Sequence, residues 1–86
     1  MSTENVDKIT AAQCRGARGL LAITQPELAA AAKLGLSTVV DFEKSRRSVS
    51  EQAILAIRAA LERAGIEFIQ ENGGGAGVRL RKRQRR

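Results

Sequence analysis

The chain has 86 residues, of which 43% are hydrophobic and 2% aromatic, with one cysteine, no histidine and a formal net charge of +6. That length suits one small domain, which buries only roughly 60–65% of its unfolded surface; its core must come from Leu, Ile, Val and Ala, because Phe42 and Phe68 are the only aromatic residues. Cys14 alone cannot form an internal disulfide, and the lack of histidine removes the commonest general base and a usual metal ligand, so neither an enzyme nor a cofactor or metal site is expected.

No stretch approaches the ~18 consecutive apolar residues of a membrane span, and MSTENVDKIT lacks the basic-then-apolar plan of a secretion signal, so a cytoplasmic protein without membrane contact is expected. The basic excess is local. Residues 79–86, RLRKRQRR, hold six of the fifteen basic side chains (Arg79, Arg81, Lys82, Arg83, Arg85, Arg86) and no acid, which leaves residues 1–78 formally neutral. The charge thus predicts a nonspecific cationic tail and not a uniformly cationic surface.

Residues 1–8 are polar and expected to be flexible, with fraying that reaches Ile9. A first helix begins at Ile9–Thr10, with Thr10 as its cap. Cys14, Ala17, Arg18 and Leu21 follow at i, i+3, i+4 and i+7 and mark an inward face that includes one arginine. Gly16 and Gly19 each cost about 1 kcal/mol relative to Ala in a helix interior. They are either tolerated or permit close helix approach. Cys14 reads as a small buried hydrophobe.

Thr24–Glu43, TQPELAAAAKLGLSTVVDFE, reads as two short helices joined by a tight turn. Thr24 with Glu27 three residues later is the capping-box spacing, and Pro26 falls in the first turn, where its missing N–H is not needed. Leu28 and Ala32 share one face. In the second helix, Leu36–Lys44, Val39 and Phe42 point one way, while Leu36, Ser37, Val40, Asp41 and Lys44 share the other. A short helix with a non-core face turned outward, set after one of matching length, has the geometry of a helix-turn-helix.

A basic turn, Lys44-Ser45-Arg46-Arg47-Ser48, comes next. Ser48 or Ser50 caps a fourth helix with Ile54, Ile57, Leu61 and Ala64 as its buried stripe and Leu55 as a further contact. Gly65 ends it in a left-handed conformation, followed by the apolar Ile66. The pattern then alternates through IEFI and again through Val78–Arg81, around a Gly-rich loop containing Asn72-Gly73, which predicts a β-hairpin over 66–81. GGGAG lacks the Lys-Ser/Thr and helix of a phosphate loop and reads as a turn. Residues 82–86 are expected to be a disordered basic tail.

TQPELA, STVVDFE and the SRR turn together resemble the TQ-x-ELA…S-x-x-(T)-I/V-x-x-x-E pattern of the Xre-type, lambda-repressor-like helix-turn-helix regulators, over about Ile9–Gly65. The resemblance implies a mainly α fold: a compact four-helix helix-turn-helix domain over 9–65, extended here by the hairpin and tail. It implies that Leu36, Ser37, Val40 and Asp41 read base edges. Gln25, Thr38, Lys44, Ser45, Arg46 and Arg47 then meet phosphates, with Gln25 also bracing the start of the recognition helix. Arg18 and Glu43 match an internal ion pair, which accounts for an arginine on an otherwise apolar face.

Three positions depart from the family pattern. Lys33 stands where the turn usually has Gly and must occupy or avoid a left-handed conformation. Gly35 replaces the usual Ser or Thr cap, and Leu36 and Val40 replace amides on the recognition face. The implied function is a sequence-specific double-stranded DNA-binding regulator, a repressor or autoregulator, acting as a homodimer on a palindromic operator. The alternative is an antitoxin or antiactivator that sequesters a second regulatory protein through Leu36, Val40 or the hairpin. The hairpin either pairs two copies or covers the helical core. No small-molecule ligand is expected.

Overall fold

The structure is a computed structural model that describes residues 8–71 and 73–81. Those residues form helices α1 (Ala11–Leu21), α2 (Gln25–Ala32), α3 (Leu36–Lys44) and α4 (Glu51–Arg63), then strands β1 (Ile66–Ile69) and β2 (Gly77–Leu80). The first seven residues, Asn72 of the hairpin loop, and Lys82, Arg83, Arg85 and Arg86 of the tail lie outside the described residues.

Three helices begin on a hydroxyl. The Thr10 side chain accepts from the Gln13 N–H at 3.0 Å, and Gln13 Oε1 accepts in return from the Thr10 N–H at 2.9 Å. Thr24 and Glu27 form the same reciprocal box at 3.2 and 2.8 Å. Ser50, and not Ser48, caps α4 by accepting from the Ala53 N–H at 3.1 Å. Each box satisfies donors of the first turn that have no partner within the helix. The apolar residue before each cap (Ile9, Ile23, Val49) stands in staple position to Cys14, Leu28 and Ile54. Ile9 is only 5% exposed, so the expected fraying stops short of it: its side chain belongs to the core.

The α2–α3 turn keeps Lys33 in the left-handed region, at φ 60° and ψ 44°. A residue with a Cβ loses roughly 1–2 kcal/mol there. Offsetting this, the Lys33 N–H donates to Ala30 O at 3.2 Å, the Leu34 N–H donates to Ala29 O at 2.9 Å, and Leu34 folds onto the core. Gly35 then caps α3 with no side-chain hydrogen bond.

Leu28, Val39, Ile57, Leu61 and Ile66 are fully buried where the helices meet. Two expectations for α4 fail. Ala64 is exposed because it is the C-cap, already beyond the last helical residue; Leu55 is exposed because it lies about 160° around the helix from Ile57. Ala53 and Ala60 are buried beside Ile57 and Leu61 instead. Gly65, at φ 111°, turns the chain into β1.

The hairpin is antiparallel, with Ile66 opposite Leu80, Glu67 opposite Arg79, Phe68 opposite Val78 and Ile69 opposite Gly77. Ile66, Phe68 and Val78 face the helices, while the opposite face carries a Glu67–Arg79 ion pair at 2.8 Å. Gln13 ties the hairpin to α1: its amide Nε2 donates to Gly77 O at 2.9 Å and to Ile69 O at 3.3 Å. Gly16 permits the approach, since a Cβ there would stand 3.3 Å from Val78 Cγ2. The close neighbour is therefore a strand and not another helix, and the hairpin covers the helical core. Among the described residues no helix is long and apolar enough to cross a membrane.

Candidate nucleic-acid interface

Helix α3 presents two unlike faces. Val39 is fully buried, Phe42 packs against the core, and Glu43 points inward with its side chain 1% exposed. On the outer face Leu36 is 46% exposed, Ser37 and Lys44 are exposed, and Thr38, Val40 and Asp41 are half-buried. The side chains expected to read bases thus share one accessible surface, with Leu36 and Ser37 in the first turn.

Glu43 fixes that surface to the scaffold. Its carboxylate accepts from Arg18 Nε at 2.7 Å and Arg18 Nη2 at 2.8 Å, from Gln25 Nε2 at 2.9 Å and from Cys14 Sγ at 3.1 Å. Arg18 Nη1 donates further to Ile23 O at 3.1 Å, and Arg15 Nη1 donates to the backbone carbonyl of Glu43. Burial pushes the Glu43 carboxyl up, but hydrogen bonds from Arg18, Cys14 and Gln25 outweigh it and hold the group below its ordinary value. The Arg18–Glu43 pair expected from the resemblance is present, with two further donors added.

Two residues make contacts beyond those expected. Gln25, expected on a phosphate and at the start of α3, turns its amide inward onto Glu43 and braces the end of α3. Cys14 is more than a small hydrophobe, because its thiol is a donor to a buried carboxylate. Burial, then the hydrogen bond to Glu43 and that group's charge, pushes the thiol far above its ordinary value. Sequence reasoning missed this contact. The available signal was Cys14 lying one turn before Arg18, on the face that Arg18 shares with Glu43.

Past α3 the chain reverses at Ser45, which sits at φ 54° and ψ 36°. Arg46 and Arg47 follow with side chains 59% and 54% exposed. Arg47 folds back so that Nε donates to Asp41 Oδ2 at 2.7 Å, and Arg46 Nη1 comes within 4.0 Å of Asp41 Oδ1. The acid expected to read a base is therefore joined to the arginines expected to meet phosphate. Beside them an open groove of about 450 Å³ is lined by Phe42, Arg47, Val49 and Ile54, with Ser45 and Ser48 also at its walls.

The two described cations of the basic segment are engaged elsewhere. Arg79 is paired with Glu67, and Arg81 Nη2 donates to Glu62 O at 3.0 Å at the end of α4. Among the described residues no cluster of His, Cys, Asp or Glu gathers as a metal site. No family model matches the chain, and no curated protein matches its sequence.

Proposed function

We propose that the chain is a sequence-specific DNA-binding regulator of the Xre-type, lambda-repressor-like class, with α3 as the helix that enters the major groove. The observation that carries this reading is the outward face of α3 running directly into an exposed Arg46–Arg47 turn, on a helix anchored from behind by Glu43. Leu36 and Val40 meet thymine methyls, Ser37 meets a base edge, and Thr38, Lys44, Ser45, Arg46 and Arg47 position the helix on phosphates. One module of this size buries on the order of 600–1,000 Å² on DNA, so useful affinity calls for a homodimer on a palindromic site. The basic tail adds affinity that is independent of sequence and sensitive to salt.

The test is fluorescence anisotropy with duplexes from upstream of the protein's own gene, in about 150 mM salt and with excess unrelated competitor, which absorbs sequence-independent binding. Binding that survives competitor and is lost in Arg46→Ala/Arg47→Ala supports the proposal. Binding that competitor removes, and that depends only on residues after Val78, would falsify it.

A second function, sequestration of another regulatory protein, draws on one observation. Leu36 is 46% exposed beside Val40, and their neighbour Asp41 is already engaged by arginine, which leaves the centre of the face apolar. Polar substitutions at Leu36 and Val40 would damage that function most, whereas the double arginine variant would spare it.

A further inference from the structure

From the Asp41–Arg46–Arg47 geometry we infer that Asp41 is a specificity-determining residue that works through the two arginines, holding them for one phosphate position and withholding their charge from all others. The inference rests on the DNA-binding function proposed above. Asp41 lies on the outer face of α3, its side chain 19% exposed, while both guanidiniums are more than half exposed. One carboxylate thus stands between two cations, at 2.7 Å from Arg47 Nε and 4.0 Å from Arg46 Nη1. Asp41 Oδ2, which already accepts from Arg47 Nε, is no longer a free acceptor for a cytosine amino group.

The chemistry follows from donor geometry. A guanidinium presents five N–H donors in a planar fork; in Arg47 Nε donates to Asp41 and Nη1 reaches Ser48 O at 3.4 Å, which leaves further N–H donors for a second anion. The arginine is thereby oriented without being consumed. The backbone holds the acceptor in place as well, because the Arg46 N–H donates to Asp41 O at 3.0 Å, closing the turn that brings both arginines back over α3. A phosphate in the right place joins an arginine already aimed at it. A phosphate in any other place must pull Arg47 off Asp41 and also meets the carboxylate's negative charge. The first case favours the cognate register; the second suppresses nonspecific binding, which is carried almost wholly by phosphate neutralisation.

Asp41→Asn keeps the side chain's shape and removes its charge. Its test uses the full-length chain, a mixed-sequence duplex and the best duplex found upstream of the gene, titrated across a range of salt. With the mixed duplex, the variant should bind more tightly and gain about one released counterion in its salt dependence, equivalent to ~3-fold more affinity lost between about 50 and 200 mM salt. Its preference for the cognate duplex should fall. The decisive comparison repeats Asp41→Asn in the Arg46→Ala/Arg47→Ala background, where the gain on mixed duplex should shrink to the part owed to direct repulsion of phosphate. An equal gain in both backgrounds would mean that Asp41 acts only as one negative charge among others, and would overturn the inference while leaving DNA binding intact. An unchanged cognate preference would overturn it too. A wild-type chain that binds neither duplex would overturn both this inference and the function on which it rests.

Discussion

Arg18→Ala is the perturbation that weighs the scaffold behind α3. It removes the donors at 2.7 and 2.8 Å and leaves the Glu43 carboxylate, 1% exposed, with only Gln25 and Cys14 as side-chain partners. Stranding one member of a buried pair costs about 3–5 kcal/mol, and for a domain of this size that lowers Tm by roughly 12–40 °C. Urea denaturation followed by helical circular dichroism measures it. The pH dependence separates charge from lost contact. With Arg18 present the folded Glu43 is held below its ordinary value, so its contribution is complete above the ordinary carboxylate range and is lost as pH falls through the folded value. Without Arg18 burial prevails, and the folded value moves upward. The gap between wild type and variant should therefore be widest at neutral pH and narrow in acid. Arg18→Met/Glu43→Leu should recover most of the loss, because a well-packed apolar pair of similar volume is often neutral or stabilising. A loss below about 1 kcal/mol would place Glu43 outside the buried-pair regime. A gap that stayed constant with pH would assign the effect to the arginine stem's contacts and refute the electrostatic account.

Lys33→Gly should raise stability by about 0.5–1 kcal/mol, the left-handed penalty released less the extra freedom given to the unfolded chain; an unchanged urea midpoint would show that Lys33 is not strained. Gly19→Ala should also stabilise, by about 1 kcal/mol, since nothing lies within 4 Å of the added Cβ. Gly16→Leu should instead cost about 1–3 kcal/mol by driving β2 away from α1; similar midpoints for these two glycine variants would disprove the Gly16–Val78 contact. Cys14 should react with a thiol reagent no faster than the protein unfolds, because the thiol is fully buried and bonded to Glu43. Rapid labelling under native conditions would contradict that placement.

The helices were legible because local chemistry and tertiary burial agree at their ends. Thr10, Thr24 and Ser50 each precede a good helix former and follow an apolar residue, so cap, staple and periodicity select the same boundary. The hairpin was legible from its alternation, yet its partner was not: Gly16 and Gln13 look ordinary in a helical pattern, and only tertiary contact turns one into a gap for Val78 and the other into a link to Gly77. Ala64 misled because its angle is right but the helix has already ended. On the outer surface the limit was of another kind. Asp41, Arg46 and Arg47 were legible as charged groups beside a helix, but whether they face DNA or one another depends on the reversal at Ser45, whose left-handed backbone carries no glycine to announce it.

The two carboxylates of α3 explain how so short a helix is fixed in place. Glu43 and Asp41 are two residues apart and so lie about 160° apart around the helix, one inside and one outside. Glu43 ties the helix back to α1 and to the start of α2; Asp41 ties it forward to the turn that follows. Both ties act on its C-terminal half. The N-terminal turn has no side-chain cap at Gly35 and an exposed Leu36, and is secured chiefly by Val39. Under the DNA-binding function proposed above, a surface that reads bases needs its arginines and backbone direction set in advance, while apolar side chains facing thymine methyls gain from small adjustments at the contact. That division puts rigidity at the Arg46–Arg47 end and compliance at Leu36. Substitutions at Leu36 should accordingly change which DNA sequences are preferred with little effect on folding, whereas substitutions at Glu43 should unfold the domain before altering its preference. Comparing selected binding sites with urea midpoints for the two sets tests the division, and a Leu36→Ser variant that loses stability without changing preference would refute it.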